Sequence, residues 1–137
     1  NEIDLSIKID FKYNKPNILL NSDKEQISRV FLNLIKNSIE SIIEKSQKIP
    51  NLDKKITIEL LEENNHIFIN VKDNGVGFIN LNNNIKDIVN PYFTTKKNGT
   101  GLGLSIVNKI INDHNGTIGF KAINEGALVK IKFLKND

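Results

Sequence analysis

The chain contains no cysteine and no methionine. Without thiols there is neither a disulfide framework nor a cysteine-ligated zinc site, so folding rests on packing, and a reducing, cytoplasmic setting is expected. No apolar run approaches the roughly 18 residues that span a bilayer, and Asn1 opens no charged-then-apolar leader. A chain that lacks even an initiator methionine reads as a fragment cut from a longer protein. Any inner-membrane anchor is expected in the missing parts of that parent. Arginine occurs once, at Arg29. The formal net charge of +3 therefore comes from lysines scattered singly or in pairs, such as Lys54-Lys55 and Lys96-Lys97, and not from one basic stripe. That pattern argues against a nucleic-acid partner.

What is present suffices for one domain over residues 1–137: 39% of the 137 residues are apolar, enough for a core without staples. Leu5, Ile7, Ile9 and Phe11 alternate with Ser6, Lys8 and Asp10, the period of a half-buried strand, and a short second strand is expected at Ile18 to Leu20. Ser22 with Glu25 forms a capping box for a helix from about Asp23 to Ser46. At about 100° per residue its apolar positions, from Ile27 through Leu32 to Ile43, cover more than half its circumference, so it should be covered on more than one side. Beyond Pro50, Ile56, Ile58 and Leu60 pair with Ile67, Ile69 and Val71 as a hairpin around Asn64-Asn65. Periodicity fails from Gly75 to Gly103, apart from a short helical stretch near Ile85 to Val89. Connections of that length are functional lids or disordered segments. A second helix carries Leu104, Val107, Ile110 and Ile111 and stops at Asn115-Gly116. Strands from Thr117 to Ile123 and Ala127 to Leu134, joined at Asn124-Glu125-Gly126, close the chain. The expected fold is α+β, a two-layer sandwich with a mixed sheet packed on one face by helices.

Three stretches can carry chemistry. Asn33 and Asn37, four apart on the long helix, share one surface. They reflect either an asparagine-rich composition or two amides facing a ligand, and an amide oxygen suits a magnesium ion held mainly by substrate phosphates. Asp73-Asn74-Gly75-Val76-Gly77-Phe78 follows the hairpin's second strand. It reads either as a plain turn or as a carboxylate fixed to accept from an exocyclic amine, with glycines admitting a flat base. Gly99-Thr100-Gly101-Leu102-Gly103-Leu104 precedes the second helix. Either its glycines serve helix packing, or its amides and the helix dipole hold phosphate. It is neither a dinucleotide fingerprint nor a P-loop. Pro91-Tyr92-Phe93-Thr94-Thr95-Lys96-Lys97 adds an aromatic pair and two lysines.

In this order the stretches resemble the N, first glycine, F and second glycine boxes of the histidine kinase branch of the gyrase, Hsp90, histidine kinase and MutL superfamily. The wording from Pro91 onward is most similar to nitrogen-regulation type sensor kinases. The resemblance implies a Bergerat-type fold holding ATP and Mg2+ between helices and sheet. It implies Asp73 as adenine reader, Asn37 as the metal ligand, and catalytic parts for Asn33, near the phosphates, and Lys96. Nucleotide contacts are implied for Gly75, Gly77, Phe78, Thr94, Gly99, Thr100, Gly101, Leu102, Gly103 and Leu104. Two departures stand out. His114-Asn115-Gly116 replaces histidine followed by two glycines, and Gly126-Ala127-Leu128-Val129 lacks a threonine that relatives place near adenine.

Hydrolytic members of the superfamily resemble this chain but carry a glutamate where it has Asn33, and an amide is no general base. Phosphoryl transfer is therefore expected, which asks mainly for positioning and charge neutralisation. His66 and His114, read as structural, are not expected to accept phosphate. The acceptor histidine is implied on a separate helical dimerisation domain of the same kinase, with a response regulator downstream. The alternatives are a superfamily ATPase, an anti-sigma type serine kinase and a non-catalytic nucleotide-binding module.

Overall fold

The computed structural model describes residues 6–77, 103–123 and 125–135. In chain order the elements are β1 (Lys8–Tyr13), α1 (Lys24–Lys48), β2 (Lys55–Glu63), β3 (His66–Asp73), α2 (Gly103–Asp113), β4 (Thr117–Ile123) and β5 (Gly126–Leu134). The five strands form one sheet in the order β1-β2-β3-β5-β4. β1 runs parallel to β2 and every other neighbouring pair is antiparallel, so the sheet is mixed.

Register decides which side chains meet the helices. Ile56 lies opposite Asp73, Ile58 opposite Val71, Ile69 opposite Ile131 and Ile67 opposite Phe133. Strand side chains alternate between faces, so these residues occupy one face, and all of them are buried. Val30, Leu34 and Ile42 of α1 and Val107, Ile110 and Ile111 of α2 complete the same cluster. Both helices therefore cover one face of the sheet, the expected two-layer α+β arrangement.

α1 starts where Asp23, in extended conformation, accepts from the amides of Glu25 and Gln26 at 3.0 and 3.2 Å. The cap is thus Asp23 and not Ser22, whose hydroxyl donates to the Leu20 carbonyl at 3.5 Å. A carboxylate at this place also meets the positive end of the helix dipole, which favours it over the neighbouring hydroxyl. The helix ends at Ile49, which turns extended just before Pro50. The hairpin turn is as expected: Asn64 and Asn65 have φ of 50° and 63°, the left-handed pair of a two-residue turn, and Glu63 faces His66 across it.

Two expectations fail. Residues 18–20 form no strand; Ile18 and Leu20 pack partly against the core while Leu19 is exposed. In β1 every residue but Asp10 is exposed, Ile9 and Phe11 each by 53%, while Ile7 just before it packs partly against the core and Leu5 lies outside the described residues. β1 is an edge strand, and the described helices reach over Ile56 and Ile58 but not over it. α1 is covered on more than one side, by the sheet and by α2, although Leu32 is 68% exposed. The stretch from Ile85 to Val89 lies outside the described residues. Among the described residues no helix is long and apolar enough to cross a membrane.

Candidate functional site

Asp73 is the last residue of β3 and belongs to the sheet's inner row, beside Ile56 on one side and Ala127 on the other. A carboxylate in an apolar row must find partners or be expelled. Asp73 finds them: the Ser38 hydroxyl donates to Oδ2 at 3.0 Å and the Gly75 amide donates to Oδ1 at 2.9 Å. The residue is only 7% exposed. Burial pushes its carboxyl above the usual 3.8, against the opposing pull of the Gly75 amide, the Ser38 hydroxyl, the Ala127 amide and the Lys45 charge.

Ser38 was not legible as a site residue, yet a signal for it existed. The buried stripe of α1 runs Val30, Leu34, Ser38, Ile42, and the serine is its one polar member. One turn on, Ser41 accepts the Val76 amide at 2.9 Å on its hydroxyl. The row Asn33, Asn37, Ser41 advances in steps of four, so both asparagines share the helix face that meets the Asp73–Gly77 turn. Asn33 and Asn37 are both half-buried, and Asn33 donates from Nδ2 to the Arg29 carbonyl at 2.9 Å.

The glycines of the turn are held close to protein. A side chain at Gly75 would meet the Ser41 carbonyl carbon at 2.6 Å, and one at Gly77, where φ is 69°, would meet the Gly126 carbonyl oxygen at 2.5 Å. Gly126 in turn lies so close to the Asp73 carbonyl that no side chain fits there. Lys45 secures the same corner, donating to the Glu125 carbonyl at 2.9 Å. On the other side Asn74 accepts the Lys55 amide at 2.9 Å and donates to the Asp53 carbonyl. The Asp73 corner is thus bound to α1, to the start of β2 and to the β4–β5 turn.

α2 begins at Gly103, with Leu104 packed against the core. Its far end meets the start of α1, since the Asp23 amide donates to His114 Nε2 at 3.1 Å. The helices therefore run in opposite senses. The 11 residues of α2 at about 1.5 Å each reach ~16 Å back along α1, which is about the distance from Asp23 to Asn33. That length would bring Gly103 and Leu104 level with the start of the asparagine row.

His66 Nδ1 pairs with the Asn64 carbonyl at 2.9 Å, within its own turn. His114 Nδ1 likewise pairs with the Ile110 carbonyl at 2.8 Å, one turn back in its own helix. Phe78, Thr94, Lys96, Gly99, Thr100, Gly101 and Leu102 lie outside the described residues, as does Asn124 of the last turn. Within them, Asp73, Gly75 and Gly77 belong to the turn bonded to α1 at Ser38 and Ser41, Asn33 and Asn37 lie on that helix, and Gly103 and Leu104 begin α2. Ala127, within the Gly126-Ala127-Leu128-Val129 stretch, lies directly opposite Asp73.

Residues 22–137 match the family described as histidine kinase-, DNA gyrase B-, and HSP90-like ATPase. Sporulation kinase B of Bacillus subtilis (strain 168) is 35% identical over 119 residues, which cover 86% of this chain and 26% of that protein. The sensory histidine kinase/phosphatase NtrB of Azospirillum brasilense is 34% identical over 124 residues, 80% of this chain and 28% of that protein. The chain thus spans about a quarter of the length of these relatives. Among solved structures, the nucleotide-free catalytic domain of histidine kinase ThkA superposes with a TM-score of 0.79 at 29% identity, covering 96% of this chain and 80% of that one.

Proposed function

Because the chain belongs to the histidine kinase-, DNA gyrase B-, and HSP90-like ATPase family, we propose that it binds Mg-ATP and donates the γ-phosphate to a histidine on a separate helical dimerisation domain. That domain would belong to the same kinase, within a two-component system that passes the phosphate on to a response regulator. The observation that carries this reading is the Asp73 carboxylate, buried among apolar side chains and aimed by Ser38 and Gly75. A structural role alone gives no reason to keep a charge there, because a neutral asparagine would satisfy the Gly75 amide and the Ser38 hydroxyl as well. An adenine amine supplies the reason, since it donates to a carboxylate already stripped of water.

The roles follow from position. Asp73 reads the base, with Gly75 and Gly77 shaping the turn beneath it. Asn37 offers an amide oxygen to magnesium and Asn33 lies towards the phosphates. The amides of Gly103 and Leu104, at the positive end of α2, face the phosphate side. Phe78, Thr94, Lys96, Gly99, Thr100, Gly101 and Leu102 would complete the enclosure, Lys96 neutralising charge during transfer. Among the described residues no three His, Cys, Asp or Glu side chains cluster as a metal site. A magnesium ion held mostly by phosphate oxygens and water, with one protein amide, fits that donor set.

Transfer is favoured over hydrolysis by Asn33, whose amide donates to the Arg29 carbonyl and cannot activate water. His66 and His114 each pair Nδ1 with a nearby backbone carbonyl, which supports reading them as structural. The test is calorimetry with a non-hydrolysable ATP analogue, with and without magnesium, on wild type and Asn37→Ala. Loss of the magnesium dependence in the variant is expected; binding unchanged by magnesium in both proteins would refute the metal role. Phosphohistidine formed only when a matching helical domain is added in trans is expected, and phosphohistidine on the isolated chain would refute the division of labour.

A further inference from the structure

His114 makes two hydrogen bonds, and only one of them serves its own helix. Nδ1 lies 2.8 Å from the Ile110 carbonyl, which can only accept, so the proton is on Nδ1. Nε2 is then bare and accepts the Asp23 amide at 3.1 Å. The end of α2 does not need the ring for closure: the Asn115 amide bonds the Asn112 carbonyl at 3.0 Å and the Gly116 amide bonds that of Ile111 at 2.9 Å. With Asn115 at φ 59° this is a complete left-handed helix stop. The bond to Asp23 reaches out of α2 to the capping residue of α1.

We propose that His114 is a positioning residue for the phosphate end of the nucleotide, a clip that sets where α2 begins relative to Asn33 and Asn37. The inference rests on the nucleotide-binding reading above and adds a residue that acts through another element. Asp23 is fixed to α1 by the bonds its carboxylate accepts and by the Ile27 amide on its carbonyl. A slide of α2 along α1 must break the ring's bond to it. Because the helix is a rigid rod of only three turns, a displacement at His114 is transmitted undiminished to Gly103 and Leu104. Asp73 lies on the sheet, tied to Ser38 and Gly75, and is untouched by such a slide. The clip should therefore govern phosphate affinity while leaving base affinity alone.

Two substitutions separate the bonds of the ring. In His114→Asn the amide nitrogen stands near the place of Nδ1 and keeps the Ile110 bond but is too short to reach Asp23. In His114→Gln the amide oxygen stands near the place of Nε2 and keeps the clip. Calorimetry with adenosine and with Mg-ATP is run on wild type and both variants, alongside thermal melts. His114→Asn is expected to weaken Mg-ATP by about threefold or more, the size of one hydrogen bond, with adenosine unchanged. His114→Gln is expected to retain the wild-type ratio of the two affinities. A purely structural role would lower the melting temperature and leave that ratio intact in His114→Asn, which would overturn the proposal. So would a ratio lost equally in both variants, and His114→Gln alone can show that loss even where His114→Asn folds poorly. Folded wild type that binds neither ligand would instead sink the nucleotide reading itself, and the clip's role with it.

Discussion

Asp73→Asn separates what the buried carboxylate does for the fold from what it does for a ligand. Burial raises the Asp73 carboxyl above its usual value, so the folded state holds that proton more tightly than the unfolded chain does. The sign follows by linkage: the stabilising contribution is fully present below the unfolded value of 3.8 and is lost as pH rises through the raised folded value. At neutral pH the ionised group weighs against the unliganded fold. Asparagine keeps the shape, accepts from the Gly75 amide, and lets the Ser38 hydroxyl turn round to accept in place of donating. Its unliganded melting temperature should equal or exceed that of wild type at pH 7, with the advantage shrinking towards pH 4. Asp73→Ala should behave differently, because the Gly75 amide is left buried without a partner, at about 1–3 kcal/mol. Ser38 escapes that penalty by bonding back along its own helix. For ATP both variants should lose the proposed charge-assisted bond to the adenine amine, about 1.5–3 kcal/mol or roughly ten- to a hundredfold in Kd. The assay is a pair of measurements on each protein, thermal melts between pH 4 and 8 and calorimetric titration with an ATP analogue. Asp73→Asn with a lower melting temperature and unchanged affinity would refute the reasoning on both counts.

Three further outcomes test the framework around the site. Glu62 is 11% exposed and takes 3.0 Å ion pairs from Lys15 and Lys135, which hold its carboxyl below the usual 4.5, the Lys135 hydrogen bond foremost. Its stabilisation is therefore present above 4.5 and fades as pH falls through the depressed value, so Glu62→Gln should flatten the acid side of a urea-denaturation series between pH 3 and 7. Gly116→Ala should lose about 1–3 kcal/mol in the same assay, because the added carbon would meet the Phe133 ring at 2.7 Å and Ile111 at 3.0 Å. Asn74→Ala should lose about 1–2 kcal/mol, leaving the Lys55 amide and the Asp53 carbonyl without their shared partner; no change would mean that water replaces the side chain fully.

Local rules read well wherever the local chain decides the outcome. The β2–β3 hairpin was legible because alternation and an Asn-Asn turn both act within a few residues, and the stop of α2 at Asn115-Gly116 was legible for the same reason. The departure from two glycines there turns out to separate two demands. Asn115 meets the need for a positive φ, which asparagine tolerates. Gly116 meets the need for space beside Phe133, which no other residue meets. Where neighbours decide, local reading misplaced things. Ile9 and Phe11 have the period of a half-buried strand, but their burial depends on what lies over the sheet edge, and the short strand expected at Ile18 to Leu20 has no partner strand to complete. The cap shifted from Ser22 to Asp23 because two adjacent residues can both cap, and the choice falls to the one whose amide also meets His114.

The site itself shows the same division between local and distant causes. Asp73 was legible as a carboxylate at a strand end, and Asn33 with Asn37 as a pair on one helix face, because period and spacing are enough for that. Their joining was not, since it runs through residues 35 positions apart in the chain: Ser38 to Asp73 and Ser41 to Val76. A serine in an apolar helical stripe is the trace such a joining leaves in sequence. It marks a place where the core must accept a polar neighbour, and here that neighbour is the one buried carboxylate among the described residues. The histidine follows the same logic in reverse. His114 looks like an ordinary helix terminus in sequence, because its second partner, Asp23, is 91 residues away. On the proposed reading the two long-range bonds divide the nucleotide site between them, Ser38 aiming the base reader on the sheet and His114 setting the helix that faces the phosphates. Perturbing one should then leave the other's ligand contacts intact, which predicts that base and phosphate affinity respond separately within one small domain.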